Sequence, residues 1–415
     1  MSRRVVVTGL GPVTPIGVGR DAFWDALIAG RSGVRRVDDL VNLEDIEVKI
    51  GAPMPDFDPL EYIDPKKARR LDRSAHFALA AAKLALKDAL IDLTRCDLAR
   101  FGVVAGTGIG GMETFADNFT TLAERGPRRV SPFFVPRMMP NAICGEISIE
   151  HGLKGANFGV VSACASGAHA IGLASKLIQA GDLDCALAGG AEAVLLTVTY
   201  AGFTRMGALS KRNDAPEAAS RPFDRDRDGF VMGEGAGLLL LESYEHAVAR
   251  GACIYAALDG FGMSADASHI TSPVETGEGA AQAMQQALAC AGSSPEEVDY
   301  INAHGTSTLP NDVVETRAIK RALGEDIARR VKVSSTKSQV GHLLGAAGGV
   351  EAIATVLSMR HGFIPATLNQ EHPDPECDLD YTPQACSHDI HTALSNSFGF
   401  GGQNACLLFR SLDGG

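Results

Sequence analysis

The 415-residue sequence has few aromatic residues, few charged residues and no paired-cysteine motif. Aromatic residues make up 6% of the chain, with a single tryptophan, and charged residues make up 21%. So little charge, combined with 45% apolar residues, excludes an intrinsically disordered chain. The nine cysteines include no C-x-x-C pair and no Cys/His cluster at zinc spacing, so we expect reduced thiols in a reducing compartment and no metal site.

Long hydrophobic runs are also absent. No window approaches 18 uninterrupted apolar residues, so the sequence predicts no transmembrane helix. The N-terminal stretch MSRRVVVTGLGPVTPIG is apolar, but its glycines and proline interrupt it too early for the core of a signal peptide, and it is typical of a first strand. We therefore expect a cytoplasmic protein that does not enter a membrane.

Basic residues are outnumbered, and the formal net charge is −12. This balance argues against a nucleic-acid partner, because phosphate binding needs a basic surface. Two local clusters oppose the overall charge, and they comprise Lys66, Lys67, Arg69, Arg70 and Arg73 in the first, and Arg125, Arg128 and Arg129 in the second. Taken alone, each cluster is most simply an ordinary solvated face.

Short runs rich in Val and Ala alternate with longer stretches at helical spacing, which predicts an α/β protein with a largely buried mixed sheet. A longer repeat is also visible: residues 160–178 and 331–357 each read as an apolar strand, a turn and a small-residue helix too apolar for a surface. We expect two similar halves, 1–252 and 253–415, each with one buried central helix. The polar segment 209–229 is predicted to be an ordered surface excursion.

Two motifs suggest functions that their context does not support. GTGIGG at 106–111 satisfies the dinucleotide-binding pattern, but it lies about 100 residues into the chain and lacks the acidic residue expected about 20 residues later. The aspartates of 224–235 are at calcium-loop spacing, but Glu234 comes one residue early. Arg225 and Arg227 also lie among the candidate ligands. We therefore disfavour both nicotinamide binding and an EF-hand.

Four segments carry groups suited to acyl chemistry. Cys164 stands in ACASG, where an apolar strand turns into a helix whose N-terminus would favour the thiolate, although a lone cysteine is more often a buried structural thiol. His304 stands in NAHGTST, Lys337 and His342 stand in STKSQVGHLLGAAG, and a glycine-rich loop covers 396–405. A thiol attacks acyl groups, and imidazole and backbone N–H donors stabilise the developing oxyanion. Together they indicate acyl transfer through a thioester.

These motifs, in this order over nearly the whole chain, resemble the β-ketoacyl-acyl carrier protein synthases of the elongating type, most closely their synthase II branch. The resemblance implies the thiolase fold, in which two similar halves form five layers, αβαβα, and assemble as a homodimer. It also implies an acyltransferase of fatty acid biosynthesis without a cofactor of its own. The phosphopantetheine arm is carried by acyl carrier protein, its partner.

The family's mechanism implies a role for each matching residue. Cys164 accepts the acyl chain, and His304 and His342 are neutral donors to the malonyl thioester oxygen while CO₂ leaves. The backbone N–H groups of Cys164 and Phe400 form the oxyanion hole. Lys337, paired with Glu351, maintains the electrostatics of the site.

The resemblance also implies binding residues. The substrate-binding positions are Ile109, Phe134 (from the partner subunit), Phe203, Thr306, Thr308 and Phe398, and the carrier-protein docking positions are Lys66, Arg69, Arg70, Arg128 and Arg129. Phe400 additionally matches a gate that swings away when the chain arrives. Gln403 departs from the commoner threonine, and the family sometimes holds a monovalent cation near Asn302, Glu351 and Asn396.

Other functions remain open on the sequence. The nearest is a ketosynthase of a type II polyketide or another specialised pathway, whose motifs overlap heavily with these. A scaffolding protein of thiolase fold would not need the thiol, the two imidazoles and the lysine together. A Cys-His hydrolase would release free acid instead of a chain longer by two carbons.

Overall fold

The computed structural model describes residues 3–54 and 56–412. The strands, in chain order, are β1 (Val5–Thr14), β2 (Gly17–Val18), β3 (Arg35–Arg36), β4 (Ile50–Gly51), β5 (Phe101–Gly106), β6 (Asn157–Val160), β7 (Cys185–Glu192), β8 (Gly235–Ser243), β9 (Ala256–Ala265), β10 (Tyr300–Asn302), β11 (Lys332–Ser334), β12 (Phe363–Ile364), β13 (Cys386–Ser387), β14 (Thr392–Gly399) and β15 (Gln403–Arg410). The α-helices are α1 (Arg20–Ile28), α2 (Pro65–Ala68), α3 (Arg73–Asp88), α4 (Met112–Arg125), α5 (Phe134–Met138), α6 (Ala142–His151), α7 (Ser166–Ala180), α8 (Thr197–Met206), α9 (Tyr244–Ala249), α10 (Glu278–Ala291), α11 (Leu309–Leu323), α12 (Glu325–Ala328), α13 (Lys337–Val340) and α14 (Ala347–His361).

One mixed sheet runs through both halves of the chain. Its strand order is β11-β10-β14-β15-β9-β1-β8-β7-β5-β6, with β2 paired to β1. The strands before residue 252 lie on one side and those after it on the other. Within the described part of this sheet, the two groups are joined where β1 pairs with β9 over two residue pairs. The predicted boundary at 252/253 falls between α9 and β9 and stays a prediction.

The two small-residue helices, α7 and α14, lie between the two groups of strands. They pack against each other and against β7 and β8 on one side and β14 and β15 on the other. α3 covers the outer face of the first group, and α10 and α11 cover that of the second. This is the five-layered αβαβα arrangement of the thiolase fold, as expected.

Glycine allows the close approach of these central helices. α14 is buried from Ala347 to Met359. A Cβ on Gly348 would lie 2.6 Å from the backbone nitrogen of Ala168 in α7, and one on Gly349 would lie 2.2 Å from the carbonyl oxygen of Gly237 in β8. Any side chain there would force the layers apart, so the tight packing accounts for residues that otherwise disfavour a helix.

The prediction of a surface excursion over 209–229 is wrong for its second part. Phe223 is fully buried, and its N–H donates to the Asp312 carboxylate at 2.8 Å. Arg227 is also buried and forms an ion pair with Asp374 at 2.7 Å. The polar residues of this segment satisfy acidic groups of the second half, and for that reason a stretch of high polarity lies inside the protein.

The helices are short compared with a bilayer. The longest described helix, α3, has 16 residues, whereas a span needs about 20 apolar residues. No helix among the described residues is both long enough and apolar enough to cross a membrane.

Candidate active site

Cys164 lies in a tight turn at the start of α7. A 3₁₀ turn over Ala163–Ala165 precedes the helix, and Ala163 adopts a positive φ of 50°, which L-residues seldom do. The hydroxyl of Ser166 accepts from the Ser162 N–H at 2.9 Å and donates to the carbonyl of Ala163 at 2.6 Å, which fixes this turn. The sharp bend directs the thiol away from the helix and into a cavity that the second half completes.

His342 contacts the thiol directly. Its Nε2 lies 3.1 Å from the Cys164 Sγ, and its Nδ1 accepts a hydrogen bond from the backbone N–H of Leu344 at 3.2 Å. Because Nδ1 accepts, a neutral ring carries its proton on Nε2. His342 therefore presents an N–H donor to the cavity.

His304 presents a second donor beside the first. The two imidazole rings are 5.4 Å apart and nearly perpendicular. The ammonium of Lys337 donates to the His304 carbonyl at 2.6 Å and lies 3.3 Å from its Nδ1, which it also approaches as a donor. The proton of a neutral His304 is then on Nε2 as well.

Both imidazoles are kept neutral. Burial lowers the pKa of His304 and of His342 well below the usual value, and the positive charge of Lys337 lowers both further. A buried cation next to a second cation would be costly, so the rings remain donors without charge over the physiological pH range.

Lys337 is balanced by a buried partner. Its ammonium forms a salt bridge with Glu351 of α14, and both side chains are almost completely buried. Neither lines the cavity. The pair lies behind the two histidines, so it acts on them through charge and hydrogen bonding instead of touching a bound molecule.

The thiol of Cys164 rests protonated. Burial raises its pKa to about 12, and the opposing influences, the charge of Lys337 and a hydrogen bond from the Phe400 N–H, are smaller. The helix N-terminus favours the thiolate, but at the resting site desolvation has the larger effect on the pKa of Cys164. The same Phe400 N–H lies where an oxyanion-hole donor is expected.

The cavity has a volume of about 390 Å³ and contains most of the predicted residues. Its lining includes four residues predicted to be catalytic, Cys164, His304, His342 and Phe400, and five predicted to bind substrate, Ile109, Phe203, Thr306, Thr308 and Phe398. Phe134 lies outside it, in α5, where its ring contacts Phe115 at 6.2 Å. The sequence had assigned Phe134 to the partner subunit's cavity, and that assignment stays a prediction.

The phenylalanine loop is the turn between β14 and β15. Gly401 and Gly402 have φ values of 86° and 71°, which strongly favour glycine. Gly399 lies against the nucleophile turn, because a Cβ there would be 2.6 Å from the Ser162 carbonyl oxygen. The loop that carries Phe400 is thus in contact with Cys164 and still has the backbone freedom a gate requires.

The five predicted docking cations are all exposed. Lys66, Arg69, Arg70, Arg128 and Arg129 form no ion pair among the described residues, whereas their neighbour Lys67 is paired with Glu146 and Glu150. The Arg70 guanidinium stacks over the ring of Phe133 at 5.3 Å, which brings the first cluster against the segment that follows the second.

Three buried oxygen atoms behind the site lack a hydrogen-bond donor. They are Oδ1 of Asn302, Oε2 of Glu351 and Oδ1 of Asn396. Buried acceptors are rarely left unpaired, and oxygen atoms are the ligands that hard cations prefer. These residues therefore fit the monovalent cation that the resemblance implies, and they would hold it beside the carboxylate that balances Lys337.

Two other clusters contain side chains that could bind a metal ion, but these side chains already have protein partners. Cys185, Glu242 and His246 lie together, yet Arg250 donates to both oxygens of Glu242. In the second, Asp224, Asp226 and His372, the Asp224 carboxylate accepts from Arg221 and from backbone N–H groups. Their charges are satisfied without a metal.

Sequence reasoning missed three residues of the site. Phe230 packs edge-on against His342 at 5.3 Å. Glu315 is buried and accepts from the N–H groups of His304 and Gly305 at 2.8 and 2.7 Å. Glu192 holds the loop that carries Ile109. Only Glu192 gave a signal in the sequence, as an acid in the apolar stretch CALAGGAEAVLL, since a fully buried glutamate is unusual without partners.

A nucleophilic thiol and two neutral imidazole donors in one cavity of a thiolase fold define a Cys-His-His condensing enzyme. The sequence matches the beta-ketoacyl synthase N-terminal domain over residues 2–247 and the C-terminal domain over residues 255–371. The chain belongs to the beta-ketoacyl synthase family.

Relatives match over the full length. The chain is 50% identical over 409 residues to a 3-oxoacyl-[acyl-carrier-protein] synthase 2 from Synechocystis, covering 98% of each protein. A crystal structure of a beta-ketoacyl synthase from Burkholderia phymatum superposes with a TM-score of 0.91 at 41% identity, covering 99% of this chain and 100% of that one. The ketosynthase of a type II polyketide system, solved in complex with its acyl-carrier protein, has a TM-score of 0.92 at 35% identity and covers all of both chains.

Proposed function

We propose that this enzyme elongates acyl chains in fatty acid biosynthesis by a decarboxylative condensation on acyl carrier protein. The observation that carries the proposal is the geometry of the cavity, where Cys164 lies 3.1 Å from one imidazole and a second imidazole lies beside it. Both rings present N–H donors to the same space. The identity of about 50% to synthase 2 enzymes over the whole chain favours the fatty acid pathway over the polyketide pathway.

The first half-reaction transfers an acyl group to the thiol. The Cys164 sulfur attacks the thioester carbonyl of acyl carrier protein, the carbon–sulfur bond to the carrier breaks, and the proton of the Cys164 thiol ends on the departing carrier thiol. The backbone N–H groups of Cys164 and Phe400 stabilise the oxyanion that forms. The resting protonation of the thiol makes this transfer depend on proton removal at the moment of attack.

The second half-reaction forms the carbon–carbon bond. Malonyl carrier protein binds with its thioester oxygen at the two Nε2–H groups, its carbon–carboxylate bond breaks, and CO₂ leaves. The resulting enolate attacks the acyl-enzyme carbonyl, and the bond to the Cys164 sulfur breaks. The 3-oxoacyl chain leaves on the carrier, and the released Cys164 thiolate takes up a proton from solvent. Each N–H donor contributes about 10²–10³ in rate by stabilising the charge on the thioester oxygen.

Features of the surface support the proposed partners. The exposed cations near Arg70 suit an acidic carrier protein, and the related ketosynthase was solved with its acyl-carrier protein.

The edge strand β6 exposes Phe158 at 38%, and α4 exposes Phe119 at 64%. The open strand edge and the exposed aromatic rings support a homodimer that covers them. The nine free cysteines agree with a cytoplasmic location.

The test is the intact mass of carrier protein after incubation of the enzyme with acyl and malonyl carrier proteins. A product longer by two carbons with a 3-keto group, absent with Cys164→Ala, supports the proposal. Acetyl carrier protein without elongation would contradict it and would favour a polyketide ketosynthase awaiting a different primer or partner.

A further inference from the structure

Glu192 is a buried acid whose charge is held by neutral donors. It ends β7, is fully buried, and accepts four hydrogen bonds. Oε1 accepts from the Thr107 hydroxyl at 2.8 Å and the Ile109 N–H at 3.3 Å, and Oε2 accepts from the Gly108 and Gly345 N–H groups at 2.6 and 2.9 Å. No basic side chain donates to it in the described part of the chain.

These four donors come from two parts of the active site. Ile109 follows β5 in the first half and lines the cavity beside Cys164. Gly345 belongs to the second half and directly follows Leu344, whose N–H fixes the proton of His342 on Nε2. One carboxylate therefore joins the cavity wall to the peptide segment that orients an imidazole.

The backbones of these two parts are in such close contact that no side chain fits between them. A Cβ on Gly345 would lie 2.2 Å from the backbone nitrogen of Gly108 and 2.7 Å from the Glu192 carboxylate. Thr107 extends the same network, because its hydroxyl accepts from the Gly110 N–H at 3.0 Å while donating to Glu192. The whole turn over 107–110 is thus held by one side chain.

All four bonds require the ionised carboxylate. A proton on Oε2 would face two N–H groups, and a proton on Oε1 would reverse the bond from the Thr107 hydroxyl, so only the ionised carboxylate accepts all four donors. Burial raises the pKa of Glu192, and the four donors oppose that effect. A glutamine at this position has the same shape but can accept on only one side.

We propose that Glu192 is a positioning residue that sets acyl-chain selectivity by holding Ile109 in the cavity wall. This inference rests on the proposed function of the same cavity. The bond to Ile109 is the longest of the four, so the wall is the part that yields first when the acceptor is weakened. A wall that yields discriminates less between short and long acyl chains.

The variant Glu192→Gln tests this directly. Its amide oxygen keeps the Gly108 and Gly345 donors, and its NH₂ group faces the Thr107 hydroxyl, which leaves the Ile109 N–H without an acceptor. We expect the ratio of kcat/KM for transfer from palmitoyl and hexanoyl carrier proteins to move toward one by about three- to tenfold, the effect of one hydrogen bond. The rate of malonyl decarboxylation depends on the two histidine donors. We expect it to fall less than the rate of long-chain acyl transfer.

Two further variants make the result decisive. Thr107→Val has the same shape without the hydroxyl and should change the ratio in the same direction, and it decides the question if Glu192→Gln does not fold. Glu245→Gln, an exposed position in α9, should keep the wild-type ratio. Melting temperatures identify any variant whose loss is only structural.

An unchanged ratio in folded Glu192→Gln and Thr107→Val would overturn the inference, as would an equal fall in transfer and decarboxylation. Transfer is read as the mass gained by Cys164, which does not require condensation. A wild-type enzyme that fails to elongate would therefore count against the proposed function, whereas unchanged ratios would count against Glu192 alone.

Discussion

Removal of the buried lysine should give the decarboxylation step a new sensitivity to acid. Lys337 lies 3.3 Å from the Nδ1 of His304, and its charge adds to burial in lowering the pKa of both catalytic imidazoles. In Lys337→Met the burial remains and the charge is gone, so both pKa values rise. The rings of the variant are then protonated at a higher pH than those of the wild type. Two positively charged imidazolium rings repel each other, and this repulsion disturbs the geometry of the two N–H donors.

The size of the charge effect can be calculated from the distance between the Lys337 ammonium and the His304 Nδ1. Two unit charges 3.3 Å apart interact by about 5 kcal/mol at an effective dielectric constant of about 20. The single variant would also leave Glu351 as an uncompensated buried charge, which costs about 3–5 kcal/mol of folding free energy. The double variant Lys337→Met/Glu351→Leu replaces the pair by apolar groups and should recover most of that stability.

The assay is the rate of conversion of malonyl to acetyl carrier protein between pH 5 and 8. Wild type should keep its rate as the pH falls, because its histidines have pKa values well below the usual 6.5. The stable double variant should lose rate as the pH falls through the raised pKa values, while its rate near pH 8 is less affected. A double variant that folds and has the wild-type pH profile would refute the claim that Lys337 keeps the imidazoles neutral.

Three further variants test the remaining parts of the site. His304→Ala and His342→Ala should each lower malonyl decarboxylation by about 10²–10³, measured as acetyl carrier protein formed, and a loss below tenfold would contradict the donor role. Gly399→Ala should slow acyl transfer to the thiol more than decarboxylation, because its methyl group would lie 2.6 Å from the carbonyl oxygen before the nucleophile turn. Arg69→Glu should raise the KM for carrier protein more at low than at high salt, and Arg95→Glu, an exposed arginine outside the cluster, should not.

Much of the site could be predicted because its reactive residues occur in short, recognisable sequence motifs. Cys164, His304 and His342 stand in segments of small residues, and small neighbours are what a reactive group needs in order to face a cavity. The structure brings these three side chains together in one cavity although 178 positions separate the outer two. The repeat of strand, turn and apolar helix also predicted the central layer, since a helix with no polar face must be buried on all sides.

What the sequence could not predict depends on the balance between opposing effects in three dimensions. A helix N-terminus argues for a thiolate at Cys164, but the depth of the cavity raises the pKa to about 12, and depth is not visible in a sequence. The same holds for Glu192, which shows only as an acid at the end of an apolar strand until folding brings four donors around it. Both cases have one cause: in this site the charges that matter are buried, so their state is decided by partners from the other half of the chain. A site whose thiol and imidazoles are all neutral at rest has to generate its charge on the substrate, and fixed N–H donors stabilise that charge where it forms.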